Sequence, residues 1–422
     1  MQLTEEQSAA LEQLLSSSAP LQVVSGPAGV GKSTLLAAIH KRHPNVAYLA
    51  PTNKAALVLR QKGIAAASTL HSVLYSPLES VSHRKTASGD IVHQTDAEGN
   101  KLLDIDNQPI PEINSIDLNF QLREDNGNAH ELTAYMDEAS MLQEQQLKDL
   151  QEFFGAVVLT GDKFQLPPVK SRDIFTLHPP TIELREIHRT ALESPILRYA
   201  TALRRELVEP VTDDHSLRTC GFNNKRLFES IVEHDCQAIT FSNKLRHIIN
   251  ERIRNARGLA PSTLLKGEQI VSLDNVRLTI DGQQFLKFYN GEILELAEDA
   301  EDDPTATDFY RLRHLKFTNG KTHRCWPFWL RGFWDEKEQS GGTKWANRIY
   351  AMRARGELYG APLLADYAAC LTAHKAQGSE WPNVAVFDQR SLLLNRTGEL
   401  MTRRWLYTAV TRAKQRCLMV NC

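Results

Sequence analysis

The run Gly26-Pro27-Ala28-Gly29-Val30-Gly31-Lys32-Ser33 constrains this chain more than any other segment. It fits the spacing Gly, four residues, Gly-Lys-Ser without a departure, and it joins two segments of opposite character. Leu21–Ser25 before it is short and apolar, as a buried strand is, while Thr34–Arg42 after it carries one apolar face and reads as a helix. Glycines in such a turn let backbone N–H groups point inward at phosphate oxygens, and the helix N-terminus adds its positive end. In that frame the run and Thr34 cradle a nucleoside triphosphate such as ATP. Lys32 bridges its β- and γ-phosphates, and the Ser33 hydroxyl holds Mg²⁺. Strand, phosphate loop and helix in this order call for an α/β fold with a parallel sheet.

At 422 residues the chain exceeds what one core usually holds, about 250–300 residues. The formal net charge of −2 gives no global basic field, so any nucleic-acid surface must be a local groove. Six cysteines (220, 236, 325, 370, 417 and 422) are scattered, with no Cys-x-x-Cys pair and no metal-ligand spacing. That usage fits a reducing compartment and no structural zinc. No apolar stretch approaches the ~20 residues of a membrane span, and Met1–Gln7 lacks a basic-then-apolar leader pattern. The expectation is a cytoplasmic protein without a membrane partner.

Strands and helices alternate from about 21 to 75, with Val46–Ala50 a second strand and Lys54–Gln61 a second helix. Residues 76–131 break the pattern: they are polar, with hairpin-like segments Ile91–Gln94 and Leu102–Ile105 and a further turn signal at Asn126-Gly127. The parallel pattern resumes at Leu132–Met136 and Ala156–Thr160. A second α/β unit opens near 190, with a helix over Ala191–Glu206, a strand at Ala238–Phe241 and a helix over Asn243–Arg257. Residues 262–366 interrupt it, strand-rich at Glu268–Leu273 and Tyr310–Phe317, with the acidic run Glu298–Asp303 expected as a solvated loop. Sheet patterns return at Ala368–Thr372, Val384–Phe387 and Cys417–Val420. The domains expected are therefore 1–75 plus 132–188, and 189–261 plus 367–422, with insertions at 76–131 and 262–366. No repeat at solenoid period is evident.

Three further strings carry chemistry. Met136-Asp137-Glu138 follows a strand, which places Asp137 to hold Mg²⁺ through water and Glu138 to activate the attacking water as a general base. Gly161-Asp162-Lys163-Phe164-Gln165 begins at another strand end, where Gln165 can report whether the γ-phosphate is intact. Pro167-Pro168 stiffens the segment that follows.

With these strings in order the chain resembles a superfamily 1 DNA helicase of the RecD/Dda-like kind, which moves 5′ to 3′. The likeness runs over nearly the whole length. Ala50–Ala56 and Ser68–Ser72 resemble the family's single-strand-contacting segments, and Leu184-Arg185-Glu186-Ile187-His188-Arg189 ends in the arginine it points at the γ-phosphate. Thr372–Glu380 is the most family-specific string, and Tyr407–Lys414 supplies the second arginine, Arg412. Gln7 stands where the family reads adenine. The resemblance implies two RecA-like parallel-sheet domains with ATP at the cleft between them, so that Arg189 and Arg412, together with Gly378 and Glu380, complete the nucleotide site. It also implies single-stranded DNA contacts from Pro51, Thr52, Asn53, Thr69 and His71 on the first domain, and from Asn243, Thr372, His374 and Lys375 on the second. These are mostly short polar groups suited to phosphate and sugar, which position without reading sequence.

In the family the first insertion carries a β-hairpin pin that splits duplex, and the second is a small Src-homology-type β-barrel. Phe120 is a candidate wedge. The aromatic cluster Trp326, Phe328, Trp329, Phe333, Trp334 and Trp345 fits either barrel core or DNA contact. Expected partners are single-stranded DNA and forked or tailed duplex, with single-strand-binding or replication and recombination proteins as candidates and a monomeric motor. Two readings stay open beside the helicase: a translocase or RecD-like motor subunit that does not unwind alone, and a nucleotide switch with no motor role.

Overall fold

The computed structural model describes residues 3–422 apart from 45, 97, 125–126, 170, 187–193, 214, 260–263, 274–275, 281–283, 289–290, 304–305, 312–313, 318–321, 325–327, 331–350, 352–353 and 356–364. It describes the backbone alone at 77–81, 113–120, 276–280, 284–288, 301–303, 306–311, 314–317, 322–324 and 328–330. The chain falls into two compact units: residues 1–75, 122–261 and 369–422 form the first, and 76–121 with 262–368 the second.

The first unit is built on two parallel sheets. One has the strand order Ser68–Thr69, Ala47–Ala50, Thr133–Met136, Ala156–Gly161, Leu21–Ser25, Ile182–Glu183. Its inner strands read as apolar runs because both faces are covered, as parallel sheets require. Val24, Leu35, Leu36, Ile39, Tyr48, Leu59 and Val158 pack into one core around it. The other sheet runs Cys370–Thr372, Gln237–Thr240, Trp381–Asp388, Ala413–Asn421, Leu217–Gly221, with separate cores on its two faces. Leu166, from the loop after the Ala156–Gly161 strand, is buried in a core of this second sheet beside Ile196, Trp405 and Leu406. That insertion fixes the first sheet against the second.

Helix starts follow the local chemistry. Thr4 and Gln7 form a reciprocal capping box on Glu5–Ser16, and Thr52, Thr69 and Ser242 each cap the helix that follows. The helix expected over 191–206 is described from Pro195 to Leu203. A proline at its first position agrees with that start.

The second unit is antiparallel and irregular. The strands Tyr75–His83 and Ile113–Leu122 pair as a ribbon. Beyond it the chain makes three like turns: Thr86, Asp96 and Asp104 each donate a backbone N–H to the carbonyl of Asp90, Asn100 and Gln108 respectively. The side chains of the same three residues accept the N–H of the same three partners, at 3.1, 2.7 and 2.8 Å. Positive φ falls at the fourth residue each time, in Gly89, Gly99 and Asn107. Between the turns two closed rings of backbone bonds link Arg84, Val92 and Glu112, and Gln94, Leu102 and Ile110. The result is a small three-sided prism with Ile110 fully buried.

Residues 262–368 contribute a five-stranded sheet including Gln269–Ser272, Ile293–Leu296 and Ala365–Tyr367, together with smaller pairings. The acidic run is not all loop. Glu301–Asp303 is a strand paired antiparallel with Ala306–Arg311, because a hairpin there satisfies its backbone. Tyr310–Phe317, expected as a strand, divides between Ala306–Arg311 and His314–Phe317, which belong to different sheets.

Candidate nucleotide and nucleic-acid site

The Lys32–Arg42 helix begins at Gly31, whose φ of 78° is left-handed and which provides no side-chain cap. The first amides of the helix are therefore free of side-chain competition, as an anion cradle needs. Gly26 cannot carry a side chain: a Cβ there would lie 2.7 Å from Val30 Cγ2 and 2.9 Å from the Leu184 carbonyl. Lys32 Nζ donates to the carbonyls of Gly26 at 2.7 Å and Pro27 at 3.0 Å. Gln7 is 2 % exposed and bonded at both ends of its amide: Oε1 accepts from the Thr4 amide at 3.1 Å and Nε2 donates to the Val30 carbonyl at 2.8 Å. It braces the first helix on the phosphate loop, with one N–H of Nε2 and one lone pair of Oε1 left over.

Asp137 and Glu138 sit at the end of the Thr133–Met136 strand. Asp137 Oδ1 accepts from the Thr160 hydroxyl at 2.8 Å and from the Glu138 amide at 3.0 Å. Glu138 has φ 53° and ψ 41°, a left-handed backbone that costs a non-glycine residue about 1–3 kcal/mol. Its Oε2 is buried with no hydrogen-bond partner among the described residues. Burial raises the Glu138 carboxyl above its ordinary range, and Asp137 adds to that, against the pull of Arg412 and Lys32. A turned, desolvated carboxylate with one oxygen uncommitted is what a base toward an incoming water requires. Mg²⁺ binds through one or two carboxylates plus phosphate and water, so Asp137 with Ser33 is a sufficient protein share. Gln165 is buried, with Oε1 3.4 Å from the Ser140 hydroxyl.

The second sheet reaches this site along the Glu399–Val410 helix. Tyr407 donates its hydroxyl proton to Asp162, while its oxygen accepts the amide of Ala28 in the phosphate loop at 3.0 Å. Arg204 pairs with the other Asp162 oxygen at 2.8 Å. Arg404 donates to the Gln165 carbonyl from Nε at 2.8 Å and pairs with Asp173 at 2.6 Å. The Leu166 amide donates to Thr408 Oγ1 at 3.0 Å, and Gln377 Nε2 donates to the Leu166 carbonyl at 2.8 Å. Arg412 is buried, held by the carbonyls of Thr408 and Ser379. Lys54 lies over the Trp381 ring at 4.4 Å, and burial, with Lys414 nearby, pushes its ammonium down to about 8. Gly378, at φ 69°, passes so close to Thr52 that a Cβ would lie 3.2 Å from its hydroxyl. Glu380 pairs with Lys414 at 3.2 Å on the surface. Arg189 lies outside the described residues.

Tyr407→Phe keeps the edge-to-face contact with Phe164 and removes only the bridging hydroxyl. Asp162 is fully buried, so the loss is expected to cost about 1–3 kcal/mol, read as a lower urea midpoint.

The candidate DNA-contact residues collect at strand ends. Pro51–Asn53 and Thr69–His71 follow two neighbouring strands at one edge of the first sheet. Asn243 and Thr372–Lys375 follow two neighbouring strands at one edge of the second. Thr52 and Thr69 spend their hydroxyl oxygens on helix caps. His71 packs on Tyr75 at 5.4 Å between ring centroids, and burial lowers both His71 and His374 below the usual histidine value. Both rings are therefore held toward the neutral form. Of the aromatic cluster, only the backbone of Phe328 and Trp329 is described, on the strand Phe328–Leu330. The other four, and the side chain of Phe120, lie outside the description.

Two parallel sheets, with a phosphate loop on one and a buried arginine of the other acting on its Glu138 carboxyl, define a two-RecA-domain nucleotide-binding protein. An AAA domain family model matches residues 2–217 and a UvrD-like helicase C-terminal domain model matches 367–420. The chain belongs to that AAA domain family and, with its C-terminal match, is a superfamily 1 DNA helicase of the RecD/Dda-like kind. A Pif1 helicase from a study of DNA unwinding at forked dsDNA by two coordinating Pif1 helicases shares the fold (17% identity, TM-score 0.51, covering 100% of this chain and 92% of that one). So does the Pif1 helicase from Bacteroides in complex with ADP-AlF3 and ssDNA (15% identity, TM-score 0.50, covering 100% and 93%). No curated protein matches the sequence significantly. Among the described residues no helix is long and apolar enough to cross a membrane.

Proposed function

We propose that this chain hydrolyses ATP at the cleft between its two sheets and uses the cycle to move 5′ to 3′ along single-stranded DNA, separating duplex ahead of it. The observation that carries this reading is the reach of the second sheet into the first: Tyr407 bonds a phosphate-loop amide, and Arg412 acts on the Glu138 carboxyl. A site assembled from two bodies makes their closure depend on what the site holds, which is how a nucleotide drives a motor.

In this reading Lys32 and the amides around Gly31 bind the triphosphate, Glu138 takes a proton from the attacking water, and Gln165 orients that water. Arg412, with Arg189, meets the charge that develops on the γ-phosphate. Ser33 and Asp137 would hold Mg²⁺, which supplies charge neutralisation between the phosphates when bound. Pro51–Asn53 with Thr69–His71, and Asn243 with Thr372–Lys375, would grip the strand in turn. The prism and ribbon within 76–131 are the candidate duplex-splitting pin, and 262–366 the inserted barrel.

Steady-state ATP turnover with and without single-stranded DNA tests the motor. Stimulation of tenfold or more, roughly, is expected if closure limits chemistry. Unwinding of 5′-tailed but not 3′-tailed duplex then gives polarity. Turnover indifferent to DNA would overturn the motor.

A further inference from the structure

Beside the phosphate loop lies a cavity of about 310 Å³ that shares only Gly26 and Pro27 with the predicted nucleotide-binding residues. Four cations line it: Lys163, Arg185, Arg204 and Arg205. One carboxylate, Glu183, faces them and bonds both Lys163 and Arg185, the latter at 3.2 Å. Arg204 is committed to the buried Asp162, while Arg205 is exposed and carries no ion pair or side-chain hydrogen bond among the described residues. Two positive charges therefore remain in excess at a concave wall made partly of the phosphate loop itself.

We propose that this cavity takes a phosphate oxyanion, and that its occupant is the inorganic phosphate set free at the adjoining loop. The inference rests on the reading of the chain as an ATPase. Its geometric basis is the position of Lys32, whose ammonium touches the carbonyls of Gly26 and Pro27, the two loop residues that form the cavity wall. A product leaving Lys32 on that side meets guanidinium groups whose planar forks match tetrahedral oxyanions. Arg185 and Arg205 are solvent-exposed, so they attract the dianion through a screened field and do not hold it long, as an exit station must. No bond forms or breaks in this step. A backbone phosphate of a nucleic acid has the same oxyanion chemistry and is the rival source.

The test is a ³¹P NMR titration of inorganic phosphate against the full chain without nucleotide, repeated in a Lys32→Ala background that removes the loop's own affinity. The doubly substituted Arg185→Ala, Arg205→Ala chain is expected to bind phosphate about tenfold more weakly. Glu183→Gln frees Lys163 and Arg185 and is expected to bind it more tightly, a change of opposite sign that general destabilisation would not produce. In turnover assays phosphate should become a weaker and a stronger product inhibitor in the same two variants, with KM for ATP unchanged within about twofold. Equal phosphate affinity in all three chains overturns the proposal. Displacement of bound phosphate by a short single-stranded oligonucleotide would assign the cavity to backbone phosphate and overturn the product assignment. If phosphate binds as expected while the wild-type chain turns over no ATP, the ATPase reading fails and the cavity stands as an oxyanion site.

Discussion

Lys32→Ala is expected to reduce ATP turnover by roughly 10²–10³-fold or more, the scale on which loss of one charged group at a developing anion is felt. The substitution is structurally mild. Lys32 is half-buried at the first turn of its helix, and among the described residues its ammonium bonds only the carbonyls of Gly26 and Pro27. Gly29 and Gly31 keep their left-handed backbone whatever stands at 32, so the loop itself should persist. The thermal midpoint should therefore move little while nucleotide affinity and kcat both fall. DNA binding in the absence of nucleotide should survive, since the candidate strand contacts lie at sheet edges away from the loop. Turnover within a few fold of wild type would remove the phosphate loop from the mechanism.

How far such a result could be anticipated from sequence differs by element. The phosphate loop, its strand and its helix were legible because motif and periodicity agree: the strand runs over Leu21–Ser25 as expected, and the helix starts only two residues earlier than its apolar face suggests. Asp137 and Glu138 were legible as a pair after a strand. Nothing in the letters shows that Glu138 is left-handed, because that conformation is imposed by the turn into Ala139–Met141. Gln7 illustrates how one residue type serves two roles. A glutamine three residues after a threonine is a capping-box signature as much as an adenine reader, and here the cap is made.

The contacts between the sheets were the least legible. Asp162 and Tyr407 are 245 positions apart, and Gln165 and Arg404 239. Arg204 and Arg404 fall outside the residues that the strings singled out, so only the fold reveals them. The prism in 84–112 was missed for another reason. Its signal is a recurrence of Thr or Asp at spacings of ten and then eight residues (86, 96, 104), each followed three positions on by a left-handed Gly or Asn, shorter than any solenoid period and visible only once the turns are superposed. Charge misled at Glu301–Asp303, where three acidic residues make a strand because pairing with Ala306–Arg311 satisfies the backbone.

Glu138→Gln is expected to leave nucleotide binding intact and to lower hydrolysis by roughly 10²–10⁴-fold, the contribution of a positioned general base. The amide is isosteric, so Asp137, Thr160 and the left-handed turn stay as they are. The pH dependence follows from the carboxyl's environment. Burial and Asp137 hold its proton to a higher pH than an ordinary glutamate at about 4.3, so the acid limb of kcat should lie above that value and vanish in the variant. Stability should move the opposite way to activity. A group whose folded pKa is raised above its unfolded value destabilises the fold once pH exceeds the unfolded value, because the desolvated charged form must then be accommodated. At neutral pH the wild-type chain bears that cost, with Oε2 buried and without a partner among the described residues. Glu138→Gln should thus raise the unfolding midpoint while stopping turnover, the trade expected where a residue is kept for chemistry at the expense of the fold. A lowered midpoint with turnover retained would make Glu138 a structural residue and move the base elsewhere in the cleft.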